Sequence, residues 1–327
     1  MRIVVIGAGA LGASFGARIA ASGHRVTLVD RWREHVAAIA ERGLQALGVP
    51  APVEILLPAV LPEAAPDNQD LALIAVDANG TAEAAAIAAQ ALAPEGCALT
   101  LQNGIGNIET LSEVLGRGRV VGGTTMCSFR TVGPGVVEQT NLSSTVIGEL
   151  DGGSGARVAQ LAHLLTSAGY PTRITSDIMT AVWEKLVVNV TINPLCGITG
   201  LRMGELARLH VTDQYQDRLL DEAFAVARAR GLSLSEQELR EQVKAHCWDK
   251  YSKPSMLQHL EAGRRTEIAS LNGALVREAQ RLGVSVPFNQ AIAWLIEGRE
   301  LHARQLAEQP DIDYAALEAD AKKELRP

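Results

Sequence analysis

The sequence predicts an α/β domain over residues 1–175, followed by an all-helical domain over residues 176–327. Three observations carry this. A short β-branched run, Arg2–Ile6, enters a glycine-rich turn and then a helical pattern. Strand-like apolar runs then alternate with helical ones as far as 171–175. Beyond Ser176 the periodic stretches have helical spacing and none reads as a strand. Alternation that gives way to helices reads as a parallel-sheet layer joined to a helical layer.

The first element to justify is the turn Gly7-Ala8-Gly9-Ala10-Leu11-Gly12, which has the spacing G-x-G-x-x-G. A strand precedes it. A helix with Phe15 and Ile19 inward follows, and a second strand, Arg25–Val29, ends at Asp30. That context is the dinucleotide fingerprint of a Rossmann-type domain. Gly7 permits the tight turn, Gly9 lets backbone approach a pyrophosphate, and Gly12 lets helix and strand pack closely. The whole turn, including Ala8, Ala10 and Leu11, is a candidate phosphate cradle at a helix N-terminus. Asp30 suits the ribose hydroxyls of NAD and repels a 2′-phosphate. Arg31 beside it is suited to holding that phosphate or to lying solvated in a loop. The expected cofactor is therefore NAD or NADP.

The chain continues with a loop over 59–69, a strand over 71–76, Asp77, and a helix over 81–92. A strand over 97–101 ends in Gln102-Asn103-Gly104. Ligands bind at the carboxyl ends of such strands, so Asn103 is a candidate contact; its bland reading is a turn residue. Strands follow over 119–125, 135–140 and 145–150, with a hairpin at Pro134, and then a helix over 156–168. Helices are expected over 213–230, 235–248, 255–282 and 288–308.

Composition narrows the classes. Apolar residues make up 47% and charged residues 20% of 327 residues, the profile of a globular protein. A net charge of −7 argues against a nucleic-acid partner. No run is apolar and long enough for a membrane span, and the N-terminus does not read as a signal peptide. Cys97, Cys127, Cys196 and Cys247 are far apart without metal-ligand spacing, so no metal and reduced cytoplasmic thiols are expected. The helical half is a candidate homodimerisation unit.

Within 182–195, Lys185, Asn189 and Asn193 recur every four residues in an apolar helix. Four residues turn about 400°, so the three side chains share one stripe. Such a stripe is either paired internally or facing a ligand; its bland reading is a wet helix edge with Lys185 solvated. Ser176 or Asp177 is placed to cap this helix, and Pro194 to end or kink it. A second polar group lies at Ser255, Glu267 and Asn272. Local readings also exist: Ser255 as an N-cap, Glu267 as a helix charge paired with nearby arginines, and Asn272-Gly273 as close helix packing. A cleft between two such domains is a usual place for a small-molecule site.

Together these motifs resemble the ketopantoate reductase (2-dehydropantoate 2-reductase) family. The resemblance rests on Gly7–Gly12, Gln102-Asn103-Gly-Ile-Gly106, Trp183-Glu-Lys185-Leu-Val-Val-Asn189-Val-Thr-Ile-Asn193-Pro-Leu, and Ser255-Met-Leu with Thr266-Glu267-Ile and Asn272-Gly273. It implies a C-terminal domain like that of 6-phosphogluconate dehydrogenase. It also implies reduction of ketopantoate by NADPH to (R)-pantoate for pantothenate and coenzyme A synthesis. By position, Lys185 matches the proton donor, and Asn189, Asn193 and Ser255 match substrate-binding positions. Asn103 matches an asparagine near nicotinamide and substrate, and Glu267 a glutamate that contacts the cofactor and supports catalysis. Three positions depart from the family pattern. Asp77 replaces a lysine that contacts the cofactor, which with Asp30 leans to NAD while Arg31 keeps NADP open; Asp77 is expected to cap the following helix. Met203 replaces an asparagine and Ala269 an acid. The alternatives are a paralogous NAD-dependent 2-oxo acid reductase or 2-hydroxy acid dehydrogenase, and a non-catalytic NAD(P)-binding sensor.

Overall fold

A computed structural model of the chain describes residues 1–308 and 312–324. The order begins β1 (Arg2–Ile6), α1 (Ala10–Ala21), β2 (Arg25–Val29), α2 (Arg33–Arg42), β3 (Leu44–Gly48), β4 (Val53–Ile55) and β5 (Ala59–Val60). It continues with β6 (Gln69–Ile74), α3 (Thr81–Ala91), β7 (Leu92–Thr100), α4 (Asn107–Leu115) and β8 (Val120–Thr125). Then come β9 (Ser128–Gly133), β10 (Val136–Asn141), β11 (Thr145–Glu149), α5 (Ala156–Ser167) and β12 (Thr172–Ile174). The helical part is α6 (Ile178–Thr199), α7 (Met203–Arg208), α8 (His210–Ala229), α9 (Glu236–Trp248), α10 (Ser255–Glu261), α11 (Asn272–Leu282), α12 (Pro287–Glu308) and α13 (Tyr314–Glu324). An α/β domain with helices after it is therefore what the chain forms.

Two compact units can be separated. One comprises Met1–Val188 with Phe224–Leu239, the other Asn189–Ala223 with Arg240–Pro327. The first is built on an eight-stranded sheet in the order β12-β11-β8-β7-β6-β1-β2-β5. Its pairs are parallel except β8 with β11. The chain leaves β1 toward β2 on one side and returns as β6 on the other. The carboxyl end of β1 is thus a switch point, where open α/β sheets bind ligands. Val4, Val5, Leu73 and Leu99 are fully buried, as strands covered on both faces require. Phe15 and Ile19 are core as expected, and the Phe15 ring stacks on Tyr170 at 3.7 Å.

A four-stranded sheet, β4-β3-β10-β9, was not foreseen in full. Only β10 and its hairpin turn were expected. β3 pairs in parallel with β10, some ninety residues later, so no local pattern announces it. His35 on α2 ties this sheet down by accepting the Gly135 N–H at 3.0 Å. Burial holds its imidazole below the usual histidine range, which keeps that acceptor neutral.

Several local expectations need correction. The stretch 59–69 contains β5 and a single turn of tight helix at Pro62–Ala64 besides loop. The helix expected over 255–282 is two helices, α10 and α11, and Glu267 lies in the turn that separates them. The backbone N–H of Thr266 donates to Glu300 there, which holds the chain out of helical pairing. Asp77 does not cap α3: it is exposed, its side chain makes no capping hydrogen bond, and Gly80 occupies the cap position. Pro194 does not end α6, which runs on to Thr199.

Candidate active site

The glycine turn is fixed by contact. Gly7 has φ +95, and a Cβ there would lie 2.7 Å from the backbone of Ala75 and Val76. A Cβ on Gly12 would lie 1.9 Å from the Gly7 carbonyl oxygen. These two positions need glycine to close the turn on itself and on the chain leaving β6. Gly9 is different, because a Cβ there would meet nothing within 4 Å. Its backbone is extended and it receives no side-chain cap. The first N–H groups of α1 have no intrahelical acceptor and carry the positive end of the helix dipole. Open space over Gly9, in front of those donors, fits a pyrophosphate.

Asp30 follows β2 and is locked by backbone. Its carboxylate accepts the Ala8 N–H at 2.7 Å and the Trp32 N–H at 2.9 Å. Arg31 is exposed and pairs with Glu83 in the first turn of α3 at 3.1 Å. Sequence reasoning did not single out Glu83; nothing local marks a residue fifty-two positions away as a partner.

The loop after β7 is cross-tied. The Gln102 amide donates to the Val76 carbonyl and to the Thr81 hydroxyl, both at 2.9 Å. Thr81 Oγ1 also lies 2.8 Å from Asn107 Oδ1. Asn107 Nδ2 in turn donates to the Asn103 carbonyl at 2.9 Å. The backbone of Asn103 is thereby set at the same carboxyl edge of the sheet as the glycine turn.

Lys185 reaches that edge too. Asp177 caps α6, accepting the Thr180 N–H at 3.0 Å. Ile178, on the first turn, meets the sheet at Gly122 of β8 and Gly148 of β11, which are paired in register. A Cβ on either glycine would come within 2.9–3.0 Å of Ile178. The glycines therefore let α6 lie close to the sheet. Lys185 is seven residues on and so on the same helix face. Its Nζ donates to the carbonyl of Thr125, the last residue of β8, at 2.6 Å. In the order β1-β6-β7-β8 this is three strands from the glycine turn, or roughly 14 Å at the usual strand spacing. Burial raises the carboxyl of neighbouring Glu184 above the usual carboxylate range, while Arg173 opposes the shift. Burial also pushes the thiol of Cys196, further along α6, up to about 12, so it stays protonated and inert.

In the second unit, Asn189 and Asn193 are bonded to each other. Asn193 Nδ2 donates to Asn189 Oδ1 at 3.2 Å. Asn193 is buried, and its Oδ1 has no hydrogen-bond partner among the described residues. Ser255 is exposed at the first position of α10, after Pro254 at the cap, so the N-cap reading fails. Glu267 is half-buried in its turn, and Met203 and Ala269 are buried and half-buried. Among the described residues, no group of three His, Cys, Asp or Glu could hold a metal ion, and no helix is long and apolar enough to cross a membrane.

Comparisons with known proteins point to one family. The family model described as ketopantoate reductase PanE/ApbA matches residues 3–152, and its C-terminal counterpart matches residues 177–300. The 2-dehydropantoate 2-reductase of Halobacterium salinarum is 33% identical over 300 residues, covering 90% of this chain and 98% of that one. That of Pyrococcus abyssi is 29% identical, covering 92% and 98%. A D-mandelate dehydrogenase solved with NADH and anilino(oxo)acetate is 29% identical with TM-score 0.88, covering 93% of this chain and 100% of that one. A PanE/ApbA family ketopantoate reductase from Ralstonia eutropha is 31% identical with TM-score 0.86 over the same shares.

The space over Gly9 is directly testable. Gly9→Val is expected to leave the melting temperature within a few degrees of wild type. It is expected to weaken NADH binding, read by nicotinamide fluorescence, at least tenfold, or ~1.4 kcal/mol. Unchanged affinity would move the phosphate cradle elsewhere. On the turn, the sheet and the matched family models together, the chain belongs to the ketopantoate reductase family and is an NAD(P)-dependent oxidoreductase.

Proposed function

We propose that the protein reduces a hydroxylated, branched 2-oxo acid, and that ketopantoate going to (R)-pantoate is the reading its residues support best. The observation that carries this is the polar stripe of α6, where the Asn193 amide donates to Asn189 on the segment that the ketopantoate reductase C-terminal model matches. Amides one turn apart can hold the carboxylate and the hydroxyl of one small substrate in register. Ketopantoate carries both.

The bound nicotinamide supplies the hydride. The chain supplies position and charge. Negative charge develops on the substrate carbonyl oxygen as it is reduced, and a fixed cation beside it lowers the barrier. In our reading Lys185, with its Nζ held by the Thr125 carbonyl, bonds that oxygen and passes it a proton. Asn103 contacts the nicotinamide side and the substrate. Ser255 holds the substrate carboxylate. Glu267 supports Lys185 or bonds the cofactor ribose. We also take residue 176 as the start of the catalytic half, since the helix that bears Lys185 is capped at Asp177.

A second reading is favoured by Asp30, which leans to NAD. It is supported by the likeness to a D-mandelate dehydrogenase solved with NADH. The protein would then interconvert a different 2-hydroxy acid and its 2-oxo acid. Purified protein supplied with NADH or NADPH and a panel of 2-oxo acids separates the two. Ketopantoate is expected to turn over faster than phenylglyoxylate and unhydroxylated branched acids. If it does not, the second reading replaces the first. Lys185→Ala is expected to lower kcat by about 10²-fold or more with unchanged cofactor affinity; a mild effect removes Lys185 from proton donation. Asp30→Ala is expected to raise use of NADPH relative to NADH, and an unchanged ratio places Asp30 away from the ribose.

A further inference from the structure

Pro194 lies inside α6, four residues after Val190. Proline has no N–H to give the Val190 carbonyl, and its ring pushes that carbonyl out of line. Val190 is fully buried, so water does not replace the missing donor. Asn272, the first residue of α11, replaces it: Nδ2 donates to the Val190 carbonyl at 2.9 Å. The same nitrogen lies 3.0 Å from Asn289 Oδ1. Asn289 Nδ2 donates to Glu222 Oε2 at 2.8 Å. Glu222 also accepts the backbone N–H groups of Phe288 and Asn289, at 2.9 and 2.8 Å. Asn272 and Asn289 are completely buried and Glu222 nearly so. Val190 sits between Asn189 and Asn193, so the turn this chain of bonds holds is the one that carries both asparagines.

We propose that Asn272 is a positioning residue for substrate recognition. It clamps the carbonyl that Pro194 frees, and so sets the α6 backbone that presents Asn189 and Asn193. The inference rests on the substrate-binding role proposed for those two residues.

Kinetics are read with whichever 2-oxo acid the wild-type enzyme turns over best, so a wrong substrate assignment shows there and not here. Asn272→Ala is expected to raise KM for the 2-oxo acid at least tenfold, with a smaller change in kcat and unchanged NADH affinity. Pro194→Ala restores an N–H at position 194, which can bond the Val190 carbonyl itself. The double variant Pro194→Ala/Asn272→Ala is therefore expected to regain melting temperature while KM stays high. A residue with a purely structural role would lower the melting temperature and leave KM per folded molecule at wild type; that result overturns the proposal. So does a wild-type KM in the double variant, which also carries the test should Asn272→Ala not fold. Asn193→Ala is the control. If it too leaves KM unchanged, the substrate reading of the stripe fails and this inference with it. If it raises KM while Asn272→Ala does not, only the clamp is overturned.

Discussion

A carbon atom added to Gly12 would lie 1.9 Å from the carbonyl oxygen of Gly7. That near-contact is the constraint from which the nucleotide half is built. It presses the start of α1 onto the end of β1, so the first turn of the helix and the strand end share one point. The N–H groups of that turn cannot be satisfied within the helix. Their positive end then faces the carboxyl edge of the sheet, where the order reverses between β2 and β6. The open space over Gly9, in front of those donors, fits a dinucleotide phosphate, so the packing that closes the turn also shapes a cradle.

The same edge shows a repeated solution to one problem. Strands end there, and their last backbone groups lose ladder partners. Side chains take them up: Gln102 bonds the Val76 carbonyl, Asn107 the Asn103 carbonyl, and Lys185 the Thr125 carbonyl. Each bond fixes a loop or a functional group with few degrees of freedom left. In the second unit Asn272 does the same for the carbonyl that Pro194 orphans. A net gain of about 1 kcal/mol per bond is modest, but leaving a buried carbonyl bare costs roughly 1–3 kcal/mol. Where the carbonyl's residue is buried, as at Thr125 and Val190, the side chain is thus held in place chiefly by the penalty of leaving.

Much of this was legible in the sequence where the cause is local. The glycine turn, the strand–helix alternation, the Asp177 cap and the Lys185 stripe each depend on residues within one or two turns of one another. What stayed hidden depends on distant pairing. β3 gains its strand only from β10. The helical period persists through 255–282 because Ile268 and Leu271 are buried in step with it, although the intervening backbone is turn. Asn272 looked like a packing residue beside a glycine, since its partner carbonyl is eighty-two residues away. Nothing local marks Gly122 and Gly148, because the side chain that needs their space, Ile178, lies on another element.

Two neighbouring charges at the end of β2 differ in how firmly they are held. Arg31 and Glu83 form an exposed pair, with side chains 70% and 49% accessible. Such pairs contribute ~0–1 kcal/mol, so Glu83 hinders the arginine from turning to another anion only slightly. Asp30 is held by two backbone N–H groups and cannot turn away without leaving the Ala8 amide bare. A phosphate brought within about 5 Å of that carboxylate meets a repulsion on the order of a few kcal/mol at an effective dielectric near 20. Arg31 is free to offset part of this by moving, whereas Asp30 cannot withdraw its share. At the end of β2, then, one charge is fixed by backbone and its neighbour is mobile, and a nucleotide ribose brought there meets both.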